Sequence, residues 1–191
     1  MANFWKTIWD EKGEGNSTDL LYLDGYEHLD IPFDSKDISI SLCNLMDIQE
    51  GDKLLEVGCG CGFLSREFQS FDYEGIDYSE SLIDKHLSLF PSHKVKVGEA
   101  NSLAYSSSYF DKVFCFGVFQ YFPSLSYADK VIEEMKRVSK DVVFLGDLKN
   151  KGTREEHFVY PRQILLDKNF SFSKCVYDNK DKERYNALFK G

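Results

Sequence analysis

Residues 54–63 read LLEVGCGCGF: a short apolar run that closes on an acid, then three glycines at every second position. Such a run constrains the fold strongly. A chain that leaves a strand at Glu56 and turns through Gly58, Gly60 and Gly62 brings bare main chain up to a ligand, where a Cβ would intervene. In a doubly wound sheet that place is the carboxyl end of the first strand, beside the point where strand order reverses.

The rest of the chain supplies the alternation such a sheet needs. FDSKDISISLCNLMDIQEGD predicts a helix, with Ile38, Leu42, Leu45 and Met46 on one stripe, Asp34 or Ser35 as its cap and QEGD as its stop. KLLEV reads as a buried strand running into the glycine loop, and FLSREFQSF as the start of the next helix. YEGID, KVKVGEA, DKVFCFGVF and DVVFLGDL read as further strands. ESLIDKHLSLF, ended by Pro91, and YADKVIEEMKRVSK, with Tyr127, Val131, Met135 and Val138 on one stripe, read as helices between them. Strands alternating with helices of this length predict βαβ units and a parallel sheet. A short helix near YPRQILLDK precedes FSFSKCVY and RYNALFK, two strand-like runs joined by DNKDKE, which predict an antiparallel pair at the sheet edge.

Length and composition narrow the classes. The 191 residues fit one domain, in which 1–50 form an N-terminal lid and first helix, 51–148 the ligand-binding core, and 149–191 a substrate-side loop and edge strands. No run approaches a membrane span of about 18 apolar residues, and MANFWKTIWDEKGEG carries acids where a signal peptide needs an apolar segment, so a cytoplasmic location is expected. Five irregularly spaced cysteines suit a reducing compartment. Cys59 and Cys61 form a C-x-C without the second ligand pair of a zinc site, so no metal is expected. The net charge of −9 divides unevenly. Residues 1–50 hold 3 basic and 11 acidic side chains, 51–148 hold 10 and 15, and 149–191 hold 10 and 6. A chain this acidic lacks the electrostatic footprint of a nucleic-acid binder.

Two ligand classes compete for the glycine loop. A dinucleotide calls for G-x-G-x-x-G, whereas here the pattern is G-x-G-x-G, with Phe63 in place of the last dinucleotide glycine. Glu56 would also face a pyrophosphate unfavourably. A ligand bearing a cationic amine is favoured instead, and S-adenosylmethionine, with an ammonium group and no phosphate, fits. Asp77 closes the next strand 21 residues after Glu56, where a ribose diol is held by paired hydrogen bonds. Glu99 closes the third strand and is able to accept from an adenine amino group, with Ala100 and Asn101 supplying backbone contacts.

Taken together, LLEVGCGCGF, GIDYS, GEAN, FDKVFCFGVFQYF and VIEEMKRVSKDVVFLGD, in this order and spacing over about residues 50–150, resemble the motifs of the class I S-adenosylmethionine-dependent methyltransferases, in the type-11 glycine-motif group. The resemblance implies a Rossmann-like, doubly wound, mostly parallel seven-stranded sheet with an antiparallel edge hairpin and an N-terminal helical lid. It implies S-adenosylmethionine as cofactor and S-adenosylhomocysteine as product. Glu56 would hold the methionine amine, Gly58, Cys59, Gly60 and Gly62 the loop wall, Asp77 the ribose, Tyr78 the adenine or ribose, and Glu99, Ala100 and Asn101 the adenine end. Phe116 and Gly117 would lie near the sulfonium.

On the acceptor side, Tyr22 and Tyr26, with Trp5 and Trp9, suggest that residues 1–33 form an aromatic lid, in which Tyr22 closes on the cofactor and Tyr26 on the acceptor. His28 and His157 are the candidate bases; His86 and His93 read as surface. Phe114, Phe116, Phe119 and Phe122 read chiefly as core. Tyr121 and the basic residues Lys149, Lys151, Arg154 and Arg162 are candidate acceptor contacts, the cations for a phosphate or carboxylate. Small size without an appended recognition domain favours a small-molecule acceptor of surface-glycan or head-group metabolism, and a monomer or homodimer. Alternatives are a protein or RNA methyltransferase, a non-catalytic cofactor-binding module, and a dinucleotide oxidoreductase. The Asn/Asp-Pro-Pro-aromatic run of many nucleic-acid amino methylators is missing, the equivalent stretch reading FCFGVFQYF.

Overall fold

The structure, a computed structural model, describes residues 2–27, 34–152, 154–175 and 184–191. The candidate base His28 and the turn DNKDKE lie outside them. In chain order the elements are α1 (Ala2–Glu14), α2 (Leu20–Leu23), α3 (Ser35–Met46), β1 (Lys53–Val57), β2 (Asp72–Asp77), α4 (Glu80–Leu89), β3 (Lys94–Val97), β4 (Phe110–Phe116), α5 (Leu125–Val138), β5 (Ser139–Lys149), α6 (Arg162–Asp167), β6 (Ser171–Lys174) and β7 (Arg184–Lys190).

The strands form one seven-stranded sheet in the order β3-β2-β1-β4-β5-β7-β6. Pairing is parallel from β3 to β5 and antiparallel where β7 inserts between β5 and β6. The central strands are apolar on both faces because successive side chains point to opposite sides of a sheet that is covered on both. Leu55, Val113, Cys115 and Leu145 pack toward Val131, Met135 and Val138 of α5. Their neighbours Leu54, Phe114 and Phe144 pack the other way, with Phe68 and with Ile38, Leu42 and Met46 of α3. The caps follow the sequence: Asp34 accepts from the amide of Lys36, Ser79 from Leu82 and Ser124 from Tyr127.

Two expectations need correction. FLSREFQSF forms no α-helix; the crossover from β1 to β2 contains a single 3₁₀ turn, Ser65–Glu67. Only nine residues separate Gly62 from β2, and Phe63, Leu64, Ser65 and Phe68 among them are all buried. The face this helix would have covered is filled by α3, which is tied to the turn where Arg66 Nε and Glu67 both meet the Ser35 hydroxyl. The second correction concerns His86, which is fully buried, while His93 is half-buried. His86 shares the inward stripe of α4 with Leu82 and Ile83, a spacing visible in the sequence.

The N-terminal segment is docked on the core. Trp5 and Trp9 of α1 are buried with Leu23, Cys61 and Leu82. The Ser79 hydroxyl donates to the Asp10 carboxylate at 2.6 Å, and the Ser81 hydroxyl to the Asp10 carbonyl at 2.9 Å. A Cβ on Gly13 would stand 2.5 Å from the Ser81 carbonyl carbon, so only glycine lets α1 lie this close to the start of α4.

Candidate active site

The strand order reverses between β1 and β4, and a cavity of about 300 Å³ opens at their carboxyl ends. One wall is the glycine loop. The amides of Gly58 and Cys59 both donate to the Ile76 carbonyl, at 2.8 and 3.0 Å, which pins the loop to β2. Gly58 has φ +82°, and a Cβ there would press on the Val118 side chain; Gly60 has φ +48°, and a Cβ there would strike the Asp24 carboxylate. Beneath the loop, His86 Nδ1 lies 2.8 Å from the Gly60 carbonyl. A carbonyl only accepts, so Nδ1 carries the proton. Nε2 then faces the Ser65 hydroxyl at 3.1 Å and His93 Nδ1 at 3.0 Å. Burial lowers the His86 pKa to about 4, so the ring is neutral and supports the loop.

Among the described residues, four carboxylates line the cavity: Asp24, Glu56, Asp77 and Glu99. Glu56 is 3% exposed and accepts from the Tyr73 hydroxyl at 2.6 Å. Burial, then the charges of Asp24 and Asp77, raise its pKa to about 8. Asp77 accepts from the amides of Gly60 (3.1 Å) and Ser79 (3.0 Å), and burial raises it to about 6. Asp24, in the turn after α2, accepts from the amides of Cys61 (2.7 Å) and Phe63 (2.8 Å), and burial raises it to about 7. Glu99 accepts from the Tyr127 hydroxyl at 3.0 Å. Sequence reasoning missed Asp24; the Asp-Gly pair within YLDGY, a turn signal between aromatics, was the available clue.

Of the residues singled out from the sequence, Glu56, Gly58, Cys59, Gly60, Asp77, Tyr78, Glu99, Ala100, Phe116, Gly117, Tyr26 and Tyr121 line this one cavity. Phe122 joins them, while Phe114 is wholly core. Gly62 and Asn101 stand outside the wall; a Cβ on Gly62 would meet Ser65, Phe90 and His86 in the layer beneath. Tyr22 is 40% exposed on the outer side of α2 with the Lys12 ammonium 4.6 Å above its ring, so it does not reach the cavity.

The basic residues are not gathered at the cavity either. Arg154 is exposed, and Arg162 stacks on Phe172 and Tyr185 of the edge hairpin, 4.2 and 5.0 Å from their ring centres. Lys149 is buried, its ammonium 3.1 Å from His157 Nδ1. His157 stacks on Trp5 and meets the edge of Tyr121. Burial and the charges of Lys149, Arg154 and Arg184 lower its pKa to about 4. An ammonium only donates, so Nδ1 accepts and Nε2 carries the proton; this tautomer has no lone pair left for a general base. The cation on the cavity wall is Lys6. Among the described residues no group of three or more His, Cys, Asp or Glu is placed to hold a metal ion, and no helix is long and apolar enough to cross a membrane.

Comparison with known proteins agrees with this geometry. Residues 55–144 match the family model of a methyltransferase domain. A probable methyltransferase, ltbC, of Aspergillus luteorubrus is 33% identical over 136 residues, covering 63% of this chain and 46% of the relative. Residues 55–144 are thus similar to a methyltransferase domain, and solved S-adenosylmethionine-dependent methyltransferases share the fold of the chain. The chain spans about half the length of that curated relative. Its fold is that of an S-adenosylmethionine-dependent methyltransferase from Clostridium acetobutylicum, with a TM-score of 0.65, 14% identity and 98% of both chains covered. It is also similar to phosphoethanolamine N-methyltransferase 1 of Haemonchus contortus, in complex with phosphoethanolamine and S-adenosylhomocysteine, with a TM-score of 0.70, 14% identity, and 99% of this chain and 48% of that chain covered.

The donor set of the cavity fits S-adenosylmethionine. Four carboxylates with Lys6 as the cation on the wall would repel a phosphate and attract an ammonium and a sulfonium. Bare main chain at Gly58 and Gly60 gives such a ligand close access, and Phe116, Val118, Phe122 and Ala100 supply apolar surface beside it.

Proposed function

We propose that this chain moves a methyl group from S-adenosylmethionine to an oxygen or nitrogen of a small, sugar-derived or amine-bearing metabolite. The observation that carries the small-acceptor reading is the size of the cavity: Trp9 of α1, Tyr26 and Tyr121 all lie on its wall, so the docked N-terminal segment covers part of a space of about 300 Å³, the lower end of small-molecule sites. The phosphoethanolamine complex of the Haemonchus relative makes a small amine the first acceptor to try, one without the phosphate that the wall carboxylates would repel.

The cofactor supplies an electrophilic methyl group on a positively charged sulfur. The residues of the chain supply orientation and a dry site. Asp77 offers the carboxylate for a ribose diol and Glu99 the acceptor for an adenine amino group. Gly117, with φ +73°, brings main chain next to the Tyr26 hydroxyl. Burial and nearby carboxylates hold the Tyr26 hydroxyl well above its usual range, and raise Tyr121 to about 12. Both hydroxyls therefore stay protonated and are suited to donate to an acceptor oxygen or to accept from the N–H of a neutral amine, whose lone pair stays free for attack. A neutral amine needs no base before attack, which agrees with the tautomer that Lys149 imposes on His157.

The test is transfer of labelled methyl from S-adenosylmethionine into a cell extract divided by a small-pore filter. Label in the filtrate is the expected result. Label retained with protein or RNA would replace the substrate class, and cofactor binding without any transfer would favour a non-catalytic module. The cofactor side has its own prediction. Asp77→Ala removes a carboxylate that also holds the Gly60 and Ser79 amides, and is expected to weaken S-adenosylhomocysteine binding by about 1–3 kcal/mol, read by calorimetry. Unchanged affinity would remove Asp77 from the ribose role.

A further inference from the structure

The turn after α2 places a carboxylate where the glycine loop turns its amides outward. Asp24 spends one oxygen on the Cys61 amide and the other on the Phe63 amide, and lies so close to Gly60 that no Cβ fits between them. Main-chain amides arranged in this way form an anion-binding concavity, and here the anion comes from the chain's own N-terminal segment. Each Asp24 oxygen keeps a second lone pair, and the residue lines the cavity together with Glu56 and Asp77. Glu56 is almost inaccessible and is engaged by Tyr73; Asp77, at the end of the neighbouring strand, is buried and engaged by the Gly60 and Ser79 amides, whereas Asp24 is only half-buried. That leaves Asp24 as the carboxylate of this end best able to meet an incoming cation. It also belongs to the N-terminal segment, which is docked on the core through Trp5, Trp9, Leu23 and Asp10.

We propose that Asp24 is a latch: it receives the α-ammonium of the cofactor's amino-acid moiety while holding the Cys61 and Phe63 amides, so that this moiety ties the N-terminal segment shut over the site. The proposal rests on the methyltransferase reading. A bridging carboxylate gains a charge-assisted hydrogen bond only when the ammonium is present, and a ligand favours closure only to the extent that it binds the closed form better. The adenosyl part alone therefore does not hold the segment.

The experiment compares S-adenosylhomocysteine with 5′-methylthioadenosine, which keeps the adenosine and thioether but lacks the amino-acid moiety. In the wild-type protein, saturating S-adenosylhomocysteine is expected to slow tryptic cleavage at Lys12 and Lys36 at least fivefold, and saturating methylthioadenosine less than twofold. Equal protection by the two ligands overturns the latch, and needs no variant. By calorimetry, Asp24→Asn is expected to lose tenfold or more in affinity for S-adenosylhomocysteine and to stay within twofold for methylthioadenosine. Equal losses for both ligands, or no loss for either, overturn the proposal. A wild-type protein that binds neither ligand overturns the methyltransferase reading itself, which separates the two failures.

Discussion

Replacing Arg184 with methionine is expected to destabilise the protein by about 3–5 kcal/mol, which for a chain of this size lowers the melting temperature by roughly 6–20 °C. Arg184 begins β7, and its guanidinium pairs with the Asp147 carboxylate near the end of β5; the two side chains are 8% and 2% exposed. The β5–β7 register shifts between Leu145 and Leu148, and Asp147 sits in that irregularity at φ +58°, a left-handed conformation uncommon for a residue with a side chain. Its amide donates to the Asn186 side chain at 3.2 Å, and Cys175 Sγ lies 3.7 Å from its carboxylate. The pair thus locks the antiparallel edge to the parallel core at the point where Asp147 backs Gly117 and the acceptor end of the cavity. Removing one partner strands a buried charge, whereas removing both does not. Asp147→Asn with Arg184→Met is therefore expected to recover most of the loss in urea denaturation. A single-variant cost below about 1 kcal/mol would mean that the pair behaves like an exposed one.

The parts of this molecule that obey a local rule were legible in the sequence, and the parts set by long-range docking were not. The Leu54–Glu56 run, the cap Asp34 and the stripe of α5 are written in short windows, and they are enough to order the parallel strands. The missing helix after Gly62 depends on α3 arriving from the N-terminal side to cover the same face, which no window of nine residues contains. His86 was misjudged because a histidine in a polar-looking helix was read by its type, although its spacing to Leu82 and Ile83 marked it as inward. Lys149 and Arg162 were grouped by charge, but one faces His157 and the other stacks on the edge hairpin. Asp24 shows the limit most clearly. Its partners, Cys61 and Phe63, lie 37 and 39 residues away, and only the closure of the N-terminal segment brings them together.

Closure also concentrates acid, which has a consequence for pH. In the ligand-free protein the pKa values of Asp77, Asp24 and Glu56 stand at about 6, 7 and 8, against ordinary values of 3.8, 3.8 and 4.5. Desolvation is the main cause of each. Between those limits the folded chain holds protons that the unfolded chain has released, so the stabilisation is complete below about pH 4 and is lost as pH rises through the folded values. His86 and His157, lowered from 6.5 to about 4, act in the opposite sense, but only below pH 6.5. The window from pH 6.5 to 8 therefore isolates the carboxylates, and the melting temperature of the ligand-free protein is expected to fall across it. A cation entering the cavity reverses the balance, because it favours the ionised carboxylates and expels their protons. Affinity for S-adenosylmethionine is then expected to rise between pH 6 and 7.5 by about tenfold per pH unit for each proton released. The heat of binding at pH 7 is expected to differ between phosphate and Tris, whose ionisation heats are unlike. A flat affinity together with equal heats in the two buffers would mean that the three carboxylates are already ionised before the cofactor arrives. The glycine loop would then be holding its negative charge without help from bound protons, and the preference for a cationic ligand would rest on fixed charge alone.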